Sequence, residues 1–186
     1  AEKAGINLNE NHAWAPRIKE IPFDSDRKRM TTVHSLEKGL DGSHHISITK
    51  GAPKEVMELC SDYYDGQGAI KSMTAAERQA ILAANDKFAR DGLRVLAVAY
   101  RPLESDHIGE DKWDMQTLEE NMVFLGLVAM SDPPRQGVRE AIAKCHRANI
   151  RIIMVTGDYG LTALSIAKKI GIVQGDDASV VSGLEL

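Results

Sequence analysis

Two adjacent prolines, Pro133 and Pro134, constrain this chain more than any other feature. Neither has a backbone N–H to give to a ladder, and each pushes the residue before it out of the helical region. No helix or central strand runs through Ser131-Asp132-Pro133-Pro134-Arg135, so the 186 residues divide near residue 131. The two sides follow different patterns. Beyond the prolines the reading is a helix over 137–148, a strand over 150–155, Thr156-Gly157-Asp158, a helix over 160–170 stopped by Gly171, and a strand over 179–181. That β/α alternation marks an α/β layer architecture.

Before the prolines the first third is β-rich. Residues 18–23, 31–34 and 45–49 read as strands around the polar stretch Asp24-Ser25-Asp26-Arg27-Lys28-Arg29. Pro53 suits the first position of a helix over 54–60, where its missing N–H has no partner to lose. Asp65-Gly66-Gln67-Gly68 is turn chemistry, and Thr74-Ala75-Ala76-Glu77 is a capping box. It opens a helix with Ile81, Ala84 and Phe88 on one face and Gly92 as its stop. Residues 93–100 and 123–130 are apolar runs suited to buried strands, joined by a polar loop over 104–121. The first five residues look like the tail of a helix, and no internal repeat or low-complexity segment is present.

Composition removes several classes of function. A formal charge of -4 and a pI near 5.9 supply no basic field for nucleic acid or an anionic membrane. Cys60 and Cys145 stand far apart, which excludes a disulfide framework and a cysteine zinc site and fits a reducing compartment. The longest apolar run, 123–130, is far short of the roughly 20 residues of a membrane-spanning helix. No basic-then-apolar leader opens the chain, so any membrane connection is expected outside it. His12, His34, His44, His45, His107 and His146 show no metal-ligand spacing.

Four places carry chemistry. Thr156-Gly157-Asp158, between a strand and a helix, offers a hydroxyl, a close backbone approach and unpaired N–H donors to a phosphate, though Thr and Asp are also ordinary caps. Lys50-Gly51-Ala52-Pro53 ends a strand, where the lysine can aim into a cleft and Gly51 can admit a flat ring, or the lysine is simply a solvated charge. Phe23 with Lys28 can supply an aromatic face and a cation to a purine, a stack worth about 1–3 kcal/mol, or Phe23 is a core residue. Arg94 lies in an apolar strand and needs a carboxylate or a phosphate as partner.

Taken together, Pro22-Phe23-Asp24-Ser25-Asp26-Arg27-Lys28-Arg29-Met30, Lys50-Gly51-Ala52-Pro53, Gly92-Leu93-Arg94-Val95-Leu96-Ala97, Asp132-Pro133-Pro134-Arg135 and Met154-Val155-Thr156-Gly157-Asp158 resemble, in order, the cytoplasmic headpiece of P-type ATPases. The likeness covers nearly the whole chain and is strongest to calcium-pump-like and sodium/potassium-pump-like enzymes. It implies an α/β (α+β) fold: an antiparallel sheet flanked by helices forming a nucleotide-binding domain over 1–131, then a partial haloacid-dehalogenase-like, Rossmannoid phosphorylation domain over 132–186.

The resemblance also implies roles. Phe23 would stack on the adenine of ATP, with Ser25, Lys28 and Lys50 lining the pocket and Gly51 giving close approach. Arg94 would meet the β-phosphate region, and Asp132 and Arg135 would form the hinge and contact ribose or phosphates. Thr156, Gly157 and Asp158 would hold the transferred phosphoryl group. Magnesium would join with the complete phosphorylation domain.

Neither Asp86-Lys87 nor Asp111-Lys112 continues into the family's D-K-T-G-T, so the phosphorylated aspartate is absent, and Lys54 replaces a usual acidic residue. The chain is therefore expected to be a piece of a pump that binds ATP weakly without hydrolysing it. Its partners would be the remaining phosphorylation, actuator and transmembrane domains, on the cytoplasmic side of a membrane, with calcium as the expected ion. A soluble haloacid-dehalogenase-type phosphatase with a cap domain, or a noncatalytic interaction module, are the competing readings.

Overall fold

The computed structural model describes residues 14–40, 42–103, 114–131, 134–173 and 180–181. The helix tail expected at the start of the chain, Asp132, Pro133 and Ser179 lie outside them. The fold is mixed α/β. Seven strands, β1 (Arg17–Asp24), β2 (Arg29–Leu40), β3 (Ser43–Gly51), β4 (Cys60–Tyr64), β5 (Ile70–Ser72), β6 (Arg94–Leu103) and β7 (Met122–Met130), form one sheet in the order β1-β2-β3-β6-β7-β4-β5. The helices are α1 (Pro53–Met57), α2 (Ala75–Arg90), α3 (Met115–Leu118), α4 (Val138–Arg147) and α5 (Gly160–Ile170). The chain separates into two compact units, residues 1–79 with 96–128 and residues 80–95 with 129–186.

In the first unit β1, β2 and β3 pair antiparallel, β3 continues antiparallel onto β6, and β4 and β5 form an antiparallel hairpin. The expectation of an antiparallel sheet needs one correction, because β4 runs parallel to β7, with Tyr63 opposite Phe124. A parallel pair needs a long crossover, and the chain from Tyr64 to Met122 provides it. β4 and β5 are also new relative to the sequence reading. The helix expected over 54–60 ends at Met57, and Cys60 belongs to β4 instead. Nothing in Cys60-Ser61-Asp62-Tyr63-Tyr64 alternates strongly; the ladder to β7 makes the strand, a tertiary effect overriding local preference.

The period-2 alternation of β2, β3 and β6 puts Thr31, Val33, Ser47, Thr49, Ala99 and Leu103 on buried positions. Val33, Leu103 and Leu118 pack there as a core cluster, with Ile21 against it. Each such side chain contributes about 1.5–3 kcal/mol on burial. Leu118 reaches this face because Asp114 caps α3 through the Thr117 N–H at 2.7 Å. Ser47 Oγ and Arg101 Nη1 then bind the carbonyls of Leu118 and Thr117 at 2.8 and 2.7 Å.

In the second unit three helices end alike. Gly92, Asn149 and Gly171 each take positive φ, and the N–H of the following residue reaches back to Phe88, Cys145 and Ala167 at 3.0, 2.9 and 3.0 Å. The α5 bounds match the sequence reading, and α4 starts one residue inside it, with Gly137 as N-cap. The strands expected over 150–155 and at 180–181 are absent: these residues form no ladder. A strand is stable only where its backbone groups are paired. Here Ile150, Ile153 and Val155 stay exposed, Val155 at 92%.

Candidate functional site

The β1–β2 connection is built by one carboxylate. Asp24 accepts from the N–H groups of Asp26 and Arg27 at 2.9 and 2.8 Å, and its carbonyl accepts from Lys28 N at 2.7 Å. The Arg27 amide first, with the Asp26 amide and the Arg27 charge, holds the Asp24 carboxyl below its usual range. To close the turn Lys28 adopts φ 52°, a left-handed conformation that costs a residue with a Cβ about 1–2 kcal/mol.

This turn lies against the end of β3. Ala52 N donates to the Lys28 carbonyl at 2.9 Å, and Lys28 Nζ pairs with Glu55 Oε1 of α1 at 2.9 Å. A Cβ on Gly51 would stand 2.5 Å from both the Lys28 carbonyl oxygen and Arg29 Cβ. The close approach that Gly51 permits is therefore, in the first place, that of the turn itself. Lys50 is exposed and sits opposite Met30 of β2 and Val98 of β6. Phe23 is 63% exposed, so the core reading of this residue fails. Ser25 is exposed on the same turn. Phe23, Ser25, Lys28, Lys50 and Gly51 thus lie at the same end of the β1–β2–β3 ladder, where Asp24 faces Arg29 and Arg29 faces Gly51.

Beneath the turn lies a network that sequence reasoning missed. Glu119, directly after α3, is buried, and both carboxylate oxygens are filled. Arg27 Nη1 donates to Oε1 and Oε2 at 2.7 and 2.9 Å, Arg29 Nε to Oε2 at 2.8 Å, and Thr31 Oγ1 to Oε1 at 2.7 Å. Thr49 Oγ1 lies 2.7 Å from Thr31 Oγ1. Burial alone would raise the Glu119 carboxyl, but the bonds from Thr31, Arg27 and Arg29 outweigh it and hold it low. Arg27 and Arg29 stand two apart around Lys28, and the folded turn brings both guanidinium groups onto Glu119. That spacing is the one sequence signal for a buried acid, and it does not say which acid.

In the second unit Arg94 finds a carboxylate: its Nη2 lies 2.5 Å from Asp158 Oδ1. Asp158 N donates to Thr156 Oγ1 at 3.0 Å, closing a tight turn, and Gly157 faces open space. Neither Thr156 nor Asp158 caps α5; its N-cap is Tyr159, which makes no side-chain cap bond, and the Tyr159 hydroxyl donates to Asp86 at 3.0 Å. Arg94, Thr156, Gly157 and Asp158 are therefore local to one another. Arg135 is exposed just before α4, and Asp132 lies outside the described residues.

A cleft of about 290 Å³, lined by Glu58, Leu59, Cys60, Ser61, Glu119, Glu120 and Asn121, includes none of the candidate residues. Burial pushes the Cys60 thiol up to about 12, so it is no nucleophile there. Among the described residues no group of three or more His, Cys, Asp or Glu side chains is placed to hold a metal ion, and no helix is long and apolar enough to cross a membrane.

Comparison with known proteins gives a consistent answer. Residues 1–137 match the family described as P-type ATPase, cytoplasmic domain N. The chain is 41% identical over 170 residues to calcium-transporting ATPase 1 of Bacillus cereus, covering 91% of this chain and 18% of that protein. It is 35% identical over 187 residues to calcium-transporting ATPase 1 of Lactococcus lactis, covering 100% and 20%. With the sodium/potassium-transporting ATPase subunit alpha-1 of Oreochromis mossambicus it shares 34% over 178 residues, covering 94% and 17%. The chain thus spans about a fifth of the length of the relatives it matches.

Proposed function

Because the chain belongs to the P-type ATPase family through its cytoplasmic N domain, we propose that it is the ATP-binding portion of a cation-transporting pump, the cation being calcium. Residues 1–131 form most of the nucleotide-binding domain, and 132–186 begin the phosphorylation domain. The observation that carries the reading is the exposed ring of Phe23 at 63%, at the same end of the β1–β2–β3 ladder as the exposed Lys28 and Lys50. An aromatic face left to solvent at a strand end that also carries two exposed lysines is a donor set that suits a purine carrying a polyphosphate.

In this reading the Phe23 ring stacks on adenine and Ser25, Lys28 and Gly51 border it. Lys50 neutralises the phosphate tail. Lys28 exchanges its Glu55 partner for the nucleotide, an exposed ion pair that costs little to open. Arg94 meets the β-phosphate region, for which it must leave Asp158, while Asp132 and Arg135 act at the hinge and on the ribose or phosphates. Thr156, Gly157 and Asp158 hold the transferred phosphoryl group by hydroxyl, backbone and carboxylate.

Magnesium, when bound with the complete phosphorylation domain, supplies charge neutralisation of the triphosphate. The acceptor aspartate belongs to the rest of the pump, as do the actuator and transmembrane domains; this portion sits on the cytoplasmic side of the membrane. It binds ATP with a Kd on the order of 1 mM, because one stack and a few solvated cations must offset the cost of association. It does not hydrolyse ATP.

Titration of the isotope-labelled chain with ATP, followed by NMR, tests this. Saturable shifts at Phe23, Lys28 and Lys50 that disappear in Lys50→Glu are the expected result. A folded chain with no saturable shift at millimolar ATP removes the nucleotide-binding assignment.

A further inference from the structure

Glu119 is the one charged side chain fully buried among the described residues. It stands 88 to 92 positions along the chain from Thr31, Arg29 and Arg27, the groups that bind it. It takes four donor contacts, two of them from the single nitrogen Arg27 Nη1, shared between both carboxylate oxygens. Three of the four come from Arg27 and Arg29, the residues on either side of Lys28.

The same arginine also crosses the neck of the turn. Arg27 Nη2 donates to the carbonyl of Pro22 at 3.3 Å, immediately before Phe23. Arg29 Nη1 donates to the carbonyl of Arg27 at 3.4 Å. Glu119 therefore grips the turn through the guanidinium groups flanking Lys28, and through Arg27 it reaches the peptide that leads into Phe23. The opposite side of the turn rests on Gly51 and Ala52.

We propose that Glu119 is a positioning residue for nucleotide binding: it touches no ligand but fixes where Phe23 and Lys28 are presented. The proposal rests on the assignment of ATP to this edge. Its element, the segment beginning at α3, thereby couples a loop far along the sequence to the geometry of the adenine site. A glutamine in its place keeps the shape and loses the charge that holds both guanidinium groups.

The experiment compares the wild-type 186-residue chain with Glu119→Gln, Glu119→Asp and Arg27→Lys, by NMR without nucleotide and then in titrations with ATP. Expected in Glu119→Gln are displaced Phe23 ring and Lys28 amide resonances and an affinity lower by about tenfold, as for loss of a hydrogen bond to a charged group. Thr49 and Leu103 amides mark an intact sheet. Partial recovery is expected in Glu119→Asp, which restores the charge. Arg27→Lys keeps the charge but loses the second nitrogen that reaches the Pro22 carbonyl, and falls between.

Unmoved Phe23 and Lys28 resonances with wild-type affinity in folded Glu119→Gln overturn the proposal. If that variant does not fold, Arg27→Lys decides by the same criteria. If the wild-type chain binds no ATP, the nucleotide assignment fails on its own. The positioning claim is then decided by whether the Phe23 and Lys28 resonances of the free chain move.

Discussion

Residues 18–29 and 150–158 look alike in sequence, each an expected strand followed by a short polar motif, yet the backbone of one is paired and that of the other is not. Around the turn the Asp24 carboxylate, Lys28 Nζ and both guanidinium groups have partners. In the segment, Ile153 and Val155 are 73% and 92% exposed and no ladder forms. A motif is only as well defined as the pairing of the backbone beneath it. In the first region a four-stranded antiparallel run and a buried acid supply that pairing; in the second, among the described residues, the Ile150 N–H on Cys145, the turn from Thr156 to Asp158, the Arg94–Asp158 pair and the helix after it supply it, with no ladder.

The largest effect that sharpens this contrast comes from removing the buried charge. Glu119→Ala leaves Arg27 and Arg29 partly buried without a counter-ion, and breaking such a pair costs about 3–5 kcal/mol. Urea unfolding of the first unit, followed by Phe23 and sheet resonances, measures it; a loss below about 1 kcal/mol, within the range of surface pairs, would sink the account. Acid acts through the same group. The folded Glu119 carboxyl titrates below its free value of 4.5, so the unfolded chain takes up its proton first. Its contribution is fully present above pH 4.5 and drains as the pH falls below that value.

Next in size is Phe23→Ala. Its ring buries little in the free chain, so stability should change by no more than about 0.5 kcal/mol. ATP affinity should fall by the worth of one stack, about 1–3 kcal/mol. Isothermal titration with ATP reads the second and thermal unfolding the first. If stability falls and affinity does not, the ring belongs to the fold and the adenine assignment is wrong.

Much of the frame was legible in the sequence because local rules and tertiary structure agreed there. Pro53 opens α1, Thr74 stands before α2 with Glu77 N 3.4 Å from its hydroxyl, and Gly92 and Gly171 stop their helices. Asn149 does the same work at the end of α4 and was passed over, since asparagine takes the left-handed region less often than glycine. β4 was hidden because its pairing with β7 spans the crossover, and no window of sequence contains both strands. The site divides in the same way. Phe23, Lys28 and Lys50 lie in strand-end motifs and could be read, whereas Glu119 is one of two adjacent glutamates whose burial depends on where α3 sits. The strand expected over 150–155 failed for the converse reason: an apolar run announces hydrophobicity, not the neighbour that would pair with it.

A smaller effect tests whether partnered charge matters away from the buried network. Asp65 binds the N–H groups of Gln67 and Ala69 at 2.8 and 3.1 Å, and Lys71 lies 2.8 Å away. The Lys71 bond first, then the two amides, holds its carboxyl at about 2 against an ordinary 3.8. What it contributes is present above pH 3.8 and is lost as the pH falls toward 2. Because the pair is open to solvent, the loss should appear as local loosening of the β4–β5 hairpin rather than unfolding. Corrected for the intrinsic exchange rate, the protection of the Gln67 and Ala69 amides should fall between pH 4 and pH 2.5.

The smallest expected effect is a null, and it is the sharpest test of the comparison. Val155→Lys places a charge in what the sequence reads as a strand; were that strand paired and buried, the charge would cost several kcal/mol. At 92% exposure the side chain is already in water, so the unfolding midpoint of the second unit should not move beyond about 0.5 kcal/mol. A large destabilisation would mean that residues 150–155 are paired and buried in solution, and the contrast between a fixed turn and an unpaired segment would collapse. A null in this chain followed by a large loss when the substitution is made in a longer pump would instead mean that residues 150–155 are paired only there.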